Sequence, residues 1–265
     1  MKRLMVILIV LGLLFPLSSE ARRVKYKVIN VTNGGTIKGI VKASRKVPDP
    51  VLPIRVKPKP DPKETELEKK TCGSSQQALM YVFSPDLGVK NALVIVENVK
   101  EGKAPPKKDL LIDNRKCRFH PLVGIAYVRS SFEIKNSDPI FHNTSLGKLL
   151  RGGRRRTVYN LALPFKDQLI KKPVRVTGLI NVKCDAHNWM RAYVYASRHP
   201  YVAITDDNGR FEIRDLPPGK YKVRFWHEGF QDVVKEIEVK AGGTTEVQVT
   251  FTKTRKPAFL AGLGL

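Results

Sequence analysis

The sequence predicts an all-β protein built from two β-sandwiches, of which the second is the smaller. From residue 78 onward, short apolar runs rich in Val, Ile, Tyr and Phe alternate with turn residues, which is typical of strands. Long helical periodicity is absent, and FKDQLIKK offers at most one helical turn. Many short strands separated by regular turns indicate a sandwich or a barrel.

The first 21 residues have the pattern of a secretory leader. Lys2 and Arg3 precede an apolar run over residues 4–15, and SSEA supplies a cleavage site after Ala21. Twelve apolar residues are too few to cross a bilayer as a stable helix. An uncleaved anchor is the alternative, but Pro16 ends the run early. We expect an exported protein of the periplasm, the cell envelope or the extracellular space, without a transmembrane segment in the mature chain.

The chain is strongly basic, with 48 Lys and Arg against 24 Asp and Glu and a net charge of +24. Such a surface attracts anionic partners, although a solvated Lys-rich surface that keeps the protein soluble is the alternative. An exported protein without a nucleic-acid-binding motif is not expected to bind nucleic acid. The charge therefore indicates the sign of a partner and not an activity.

Composition divides the chain into segments. Residues 22–77 contain the strand-like GTIKGIV and then six prolines within residues 45–70, which predicts an N-terminal strand and an extended Pro/Lys-rich connection. Residues 78–198 are predicted to form the first sandwich and residues 199–252 the second. Residues 253–265 are predicted to be a tail.

The stretch CDAHNWM places Cys184, His187 and Met190 in a C-x2-H-x2-M pattern. Copper sites that transfer electrons use two imidazoles, one thiolate and a weak axial thioether. The second imidazole is available in KNSDPIFHNTS, where His142 follows a strand-like run and an Asp-Pro turn. Singly, each residue has an ordinary role in a core or on a surface. Their joint occurrence in an exported β-protein predicts a metal site.

At SDPIFHN and CDAHNWM the sequence resembles the cupredoxins, which are Greek-key β-sandwiches with one type 1 (blue) copper site. The short ligand loop is most similar to that of amicyanin. The resemblance implies that His142, Cys184, His187 and Met190 hold the copper. It also implies that Asn143 hydrogen-bonds across to the loop that carries the thiol, a supporting role that metal sites need. Zinc is an alternative metal, but the thioether favours copper, and a two-copper centre would need a second Cys in the loop.

The resemblance leaves two further cysteines, Cys72 and Cys117, to pair as a disulfide in an oxidising compartment. Their spacing does not prove the pairing. The competing interpretation is a second metal site at Cys117 and His120, which have C-x2-H spacing.

In cupredoxins the second imidazole lies near the surface on which redox partners dock. Trp189 is a candidate for that surface, with packing as its alternative role. RGGRRR lies between the two ligand loops, and its arginines could attract an acidic redox partner or could simply be solvated. These candidate docking residues are Arg151, Arg154, Arg155 and Arg156.

The four predicted ligands suit both Cu(I) and Cu(II), which favours the transfer of single electrons. They leave no open coordination position, and no catalytic triad or phosphate loop stands out, so we expect no enzyme activity and no catalytic residues. The alternative is a non-redox protein that binds or delivers copper, or an envelope interaction protein with a cupredoxin-like fold.

The second sandwich contains TDDNGRFEIRDLPPGKYKV, which resembles the carboxypeptidase regulatory-like, transthyretin-like domains. This resemblance implies a structural or interaction module and brings no catalytic residues.

Overall fold

The computed structural model describes residues 26–265, and the predicted leader lies outside them. No helix in this part of the chain is long and apolar enough to cross a membrane. The helices are α1 Pro62–Cys72 and α2 Ala258–Ala261, with a 3-10 turn at Arg151–Gly153. The strands are β1 Lys27–Val28, β2 Gly35–Ala43, β3 Val51–Pro53, β4 Ser75–Gln77, β5 Leu93–Val96, β6 Glu101–Gly102, β7 Leu110–Arg115, β8 Arg118–His120, β9 Val123–Tyr127, β10 Ser131–Asn136, β11 His142–Leu149, β12 Arg155–Leu163, β13 Leu169–Pro173, β14 Gly178–Lys183, β15 Arg191–Ser197, β16 Val202–Ile204, β17 Arg210–Leu216, β18 Gly219–His227, β19 Phe230–Val239 and β20 Thr244–Phe251.

The first sandwich has a four-stranded and a five-stranded sheet, in the orders β13-β10-β7-β8 and β12-β11-β14-β15-β9. Both sheets contribute to one core, in which Phe132 and Ile134 of β10 are buried together with Leu146 of β11 and Ile180 of β14. Alternate residues of β10 are buried, as expected for a strand with one face on a core. The prediction of an all-β sandwich fold is confirmed.

The second sandwich pairs a four-stranded sheet, β16-β5-β18-β19, with a three-stranded sheet, β17-β2-β20. Its core includes Ile37, Ile213, Phe225 and Val249. The strand predicted near the N-terminus, β2, therefore belongs here, since it pairs with β17 and β20.

Strand β5 corrects the expected extent of the first sandwich, residues 78–198. It hydrogen-bonds to β16 and β18 of the second sandwich instead. All four residues of its LVIV run are buried. Val94 and Val96 face the second core, while Leu93 and Ile95 join the apolar cluster between the sandwiches. A strand with two buried faces suits this position between two cores.

The prediction of an extended connection over residues 45–70 is wrong from Pro62 onward, where α1 begins. The Asp61 side chain caps the helix by accepting a hydrogen bond from the backbone N–H of Lys63 at 2.8 Å. Pro62 occupies the first turn, where its missing N–H costs nothing, and Gly73 ends the helix at a positive φ of 75°. FKDQLIKK also differs from expectation, because Leu169–Pro173 continues as a strand beside β10.

The two sandwiches meet at an apolar cluster that includes Tyr193 and Trp226. A buried ion pair joins them beside it: the Arg191 guanidinium donates to both carboxylate oxygens of Glu228, at 2.9 and 2.6 Å. The predicted tail also packs, because Leu260 of α2 is buried in the first core.

Candidate metal centre

The pairing of β11 with β14 brings the two predicted ligand loops together. These strands are antiparallel neighbours, with Ser145 opposite Lys183. The start of β11, where His142 lies, therefore meets the end of β14, which Cys184 follows directly. The loop from Cys184 then turns back into β15, and a backbone hydrogen bond from Met190 N–H to His187 C=O closes it at 3.0 Å.

Three of the four predicted ligands converge on one point. The Nδ1 atoms of His142 and His187 lie 3.0 Å apart, and the Cys184 Sγ lies 3.6 Å from the His187 Nδ1. Their potential ligand atoms all lie within 4.8 Å of one another. The two imidazoles are 0% and 1% exposed, so water scarcely reaches them.

Met190, the fourth predicted ligand, is buried in the same apolar cluster as Cys184, and both residues line one groove. Asn143 spans the two loops. Its backbone N–H points at the Cys184 Sγ at 3.4 Å, and its side-chain oxygen accepts from the Asp185 N–H at 3.3 Å. This bridge has the form that the resemblance implied for Asn143.

Two buried carboxylates hold the outer edges of the imidazoles, and sequence reasoning missed both. Asp138 Oδ2 lies 2.8 Å from the His142 Nε2, and Glu68 Oε1 lies 3.2 Å from the His187 Nε2. Glu68 also forms an ion pair with Lys59. The helix-start pattern at Asp61 and Pro62 was the available signal for α1, but nothing local placed Glu68 on His187.

Burial and hydrogen bonds shift the pKa values around the centre. Burial, together with the proximity of His142, lowers the pKa of His187 to about 4, so this imidazole is neutral near pH 7. Burial raises the pKa of Asp138, but hydrogen bonds from His142 and from the backbone of Cys117 and Lys116 outweigh it and leave a net lowering. Burial also raises the pKa of the Cys184 thiol, which is therefore protonated near neutral pH when no cation is bound.

The orientation of the imidazoles fits a bound cation. An ionised carboxylate only accepts hydrogen bonds, so Asp138 and Glu68 favour protons on both Nε2 atoms. The two Nδ1 atoms then direct lone pairs at each other across 3.0 Å, beside a buried thiol. One first-row metal ion can bond to all three atoms at these separations, since metal–imidazole and metal–thiolate bonds are about 2.0 and 2.3 Å long. The donor set therefore fits copper.

The disulfide prediction is confirmed, because Cys72 and Cys117 are bonded and Cys184 is free. Cys117 therefore provides no thiolate for a second site with His120. The suggestion that Trp189 lies on a docking surface is wrong. Trp189 is 3% exposed, its ring packs tilted against the His187 imidazole with 5.0 Å between the ring centroids, and its indole N–H donates to the Cys117 carbonyl.

The candidate docking arginines divide into two kinds. Arg155 is half-buried and donates to the Ser145 carbonyl at 2.8 Å, while Arg151, Arg154 and Arg156 are exposed. Arg155 lines the groove of 690 Å³ onto which Cys184 and Met190 open. The basic segment, residues 151–156, thus lies beside the thiol side of the centre.

Comparison with known proteins identifies one part of the chain. Residues 190–252 match the family model of the carboxypeptidase regulatory-like domain. The predicted resemblance of the second sandwich is thereby confirmed, although β2 and β5 of that sandwich lie outside the matched residues. No curated protein sequence matches the chain significantly.

Solved structures that resemble the chain include a purple cupredoxin from Nitrosopumilus maritimus. It is 19% identical over 34% of this chain and 98% of its own length, with a TM-score of 0.28. Amicyanin from Paracoccus versutus is 17% identical over 39% of this chain and 97% of its own, also with a TM-score of 0.28. A copper-containing nitrite reductase from Thermus scotoductus is 15% identical over 37% of this chain, with a TM-score of 0.29. The likeness spans only 24% of that reductase. The function is therefore inferred from the side chains alone.

Proposed function

We propose that the protein is an exported type 1 copper protein that carries single electrons between redox partners. The observation that carries this proposal is the convergence of two imidazole Nδ1 atoms and one buried thiol, with protein carboxylates on the opposite edges of both imidazoles. His142, Cys184 and His187 would hold the metal, with Met190 as the axial ligand. Copper bound there supplies a one-electron Cu(II)/Cu(I) couple.

The residues around the centre suit electron transfer because they keep the donor atoms in place. Asn143 joins the two ligand loops, and the carboxylates of Asp138 and Glu68 hold the imidazoles from behind. A rigid site changes little when an electron arrives or leaves. All four proposed ligands come from the protein, which leaves a substrate no evident position, so we propose a carrier and not an enzyme.

Electrons would enter or leave on the thiol side of the centre. His187 is covered by Glu68 and Trp189, whereas Cys184 and Met190 line the groove beside the basic segment. The exposed Arg151, Arg154 and Arg156 would attract an acidic partner protein to this face.

A specific observation favours a second candidate function. Both imidazoles are almost completely buried, which suits a protein that stores or delivers copper as well as one that exchanges electrons. Stopped-flow oxidation and reduction of the copper-loaded protein by small inorganic complexes separates the two. We expect fast, reversible one-electron cycles without loss of metal. Release of copper on reduction would favour delivery and contradict the carrier.

The steering proposal has its own test. Substituting Arg151, Arg154 and Arg156 by Gln should slow electron exchange with an acidic redox protein at low salt, and the difference should shrink as salt is added. Substituting Arg45, Lys46 and Lys57 by Gln provides the control, because it removes three exposed positive charges from residues outside this groove. An exchange rate that is independent of salt would contradict steering.

A further inference from the structure

The carboxylates that contact the two imidazoles of the centre lie on segments that are joined by a single disulfide, Cys72–Cys117. Glu68 lies one turn before Cys72 at the end of α1, and Cys72 is bonded to Cys117. Cys117 in turn donates its backbone N–H to Asp138 at 2.9 Å, and Lys116 donates its own at 2.7 Å. The disulfide therefore links the helix that carries Glu68 to the backbone that hydrogen-bonds to Asp138.

The contacts of Glu68 are specific and buried. This side chain is 6% exposed, and its two oxygens have separate partners, the His187 Nε2 at 3.2 Å and the Lys59 ammonium at 2.5 Å. The two other acidic residues of α1, Glu64 and Glu66, differ from it because both are exposed. Burying a carboxylate costs desolvation free energy, so the buried position of Glu68 calls for a role at the centre.

Asp138 is at least as tightly held. Its two oxygens accept three hydrogen bonds, from Lys116 N–H, Cys117 N–H and the His142 imidazole, and its own N–H donates to the Asn136 side chain. Asn136 in turn donates to two backbone carbonyls. The carboxylate is thus fixed before it contacts His142, and it can determine which edge of that ring faces the thiol.

We propose that Glu68 and Asp138 are positioning residues, which fix the Nε2–H tautomers of His187 and His142 so that both Nδ1 atoms face Cys184, and that the Cys72–Cys117 disulfide holds the Glu68 support in place. The effect of Glu68 and Asp138 on copper binding rests on the proposed function, whereas their effect on the histidine tautomers concerns the metal-free protein. The negative charge of Glu68 also favours Cu(II) over Cu(I). Supporting groups of this kind typically change metal affinity by about 10- to 100-fold when they are substituted.

The first test uses metal-free protein labelled with 15N at its histidines. Multiple-bond NMR spectra should show the Nε2–H tautomer for His142 and His187 in the wild type. Glu68→Gln should change the tautomer equilibrium of His187 and not that of His142, and Asp138→Asn should do the reverse. Glu66→Gln removes the same charge from an exposed position of α1 and should change neither. If Glu68→Gln behaves like Glu66→Gln, the inference is overturned.

The second test uses copper. We expect Glu68→Gln to weaken Cu(II) binding by about 10- to 100-fold relative to Glu66→Gln. Because the removed charge favours Cu(II), Cu(I) binding should weaken about tenfold less, which corresponds to a rise of about 59 mV in the reduction potential. An unchanged potential would contradict the role assigned to the Glu68 charge. Asp138→Asn provides a second variant from another part of the chain if Glu68→Gln does not fold.

The disulfide is tested by the double substitution Cys72→Ala and Cys117→Ala. With both carboxylates present but α1 no longer tied, the tautomer equilibrium of His187 should relax and Cu(II) should bind more weakly. A folded variant with wild-type spectra and affinity would overturn the part assigned to the disulfide. If the wild type binds no copper, the proposed function fails, while the NMR test still decides whether the carboxylates position the rings.

Discussion

The Cys72–Cys117 disulfide should make a large contribution to the stability of the metal-free protein. The two cysteines are separated by 45 positions, and closing a loop of that size in the unfolded chain corresponds to about 4 kcal/mol in the chain-entropy description. Both cysteines are buried, at 5% and 0% exposure, so replacing them by Ala also leaves small cavities. We expect the double Ala variant to lose about 4 to 5 kcal/mol of unfolding free energy.

Urea unfolding followed by Trp189 fluorescence measures this loss of unfolding free energy with a probe next to the disulfide. The chain has two tryptophans, and Trp189 donates to the carbonyl of Cys117, next to the disulfide. A Trp226→Phe background removes the signal of the other tryptophan from both the parent and the double variant. With an m-value of about 3 kcal/mol/M, the midpoint should fall by more than 1 M. A loss below about 1 kcal/mol at an unchanged m-value would refute the reasoning.

Two other features of the fold give measurable predictions. Arg191→Met leaves the Glu228 carboxylate buried without its partner and should lower the free energy of unfolding in urea by about 3 to 5 kcal/mol. The double variant Arg191→Met/Glu228→Leu should recover part of this loss. A loss below about 1 kcal/mol in the single variant would contradict a tightly buried pair. Burial and the charges of Arg255 and Arg191 lower the pKa of His227 to about 3 in the folded protein. As the pH falls, His227 is therefore protonated in the unfolded chain at a higher pH than in the folded protein. The contribution of neutral His227 to the unfolding free energy is fully present above about pH 6.5 and is lost as the pH falls toward about 3. Its slope is at most about 1.4 kcal/mol per pH unit, and His227→Asn should flatten the pH dependence; equal slopes in both proteins would exclude the effect.

The ligand loops could be predicted from the sequence because their information is local. Cys184, His187 and Met190 lie in one short loop, and the pairing of two adjacent strands brings His142 to them. The supporting carboxylates differ in this respect. Asp138 is only four residues before His142, but Glu68 is 119 residues before His187 and reaches it through α1 and the disulfide.

The segment containing α1 was difficult to predict for a physical reason. Its helix has few apolar residues and a Pro-rich approach, so its periodicity is weak. Tertiary contacts of Glu68 and Cys72, and not an apolar face, place it against the centre. The sequence places strand β5 in the wrong sandwich for a different reason, because a fully apolar LVIV run indicates a buried strand without indicating which core it joins.

Titration of the metal-free protein with Cu(II), followed by visible absorption, tests the central claim most directly. One equivalent of copper should produce an intense band from charge transfer between the Cys184 thiolate and copper. Cys184→Ser should abolish the band, while Glu66→Gln, which changes an exposed residue of α1, should keep it. A wild-type protein that binds no copper, or binds it without this band, would contradict a type 1 copper centre at His142, Cys184, His187 and Met190.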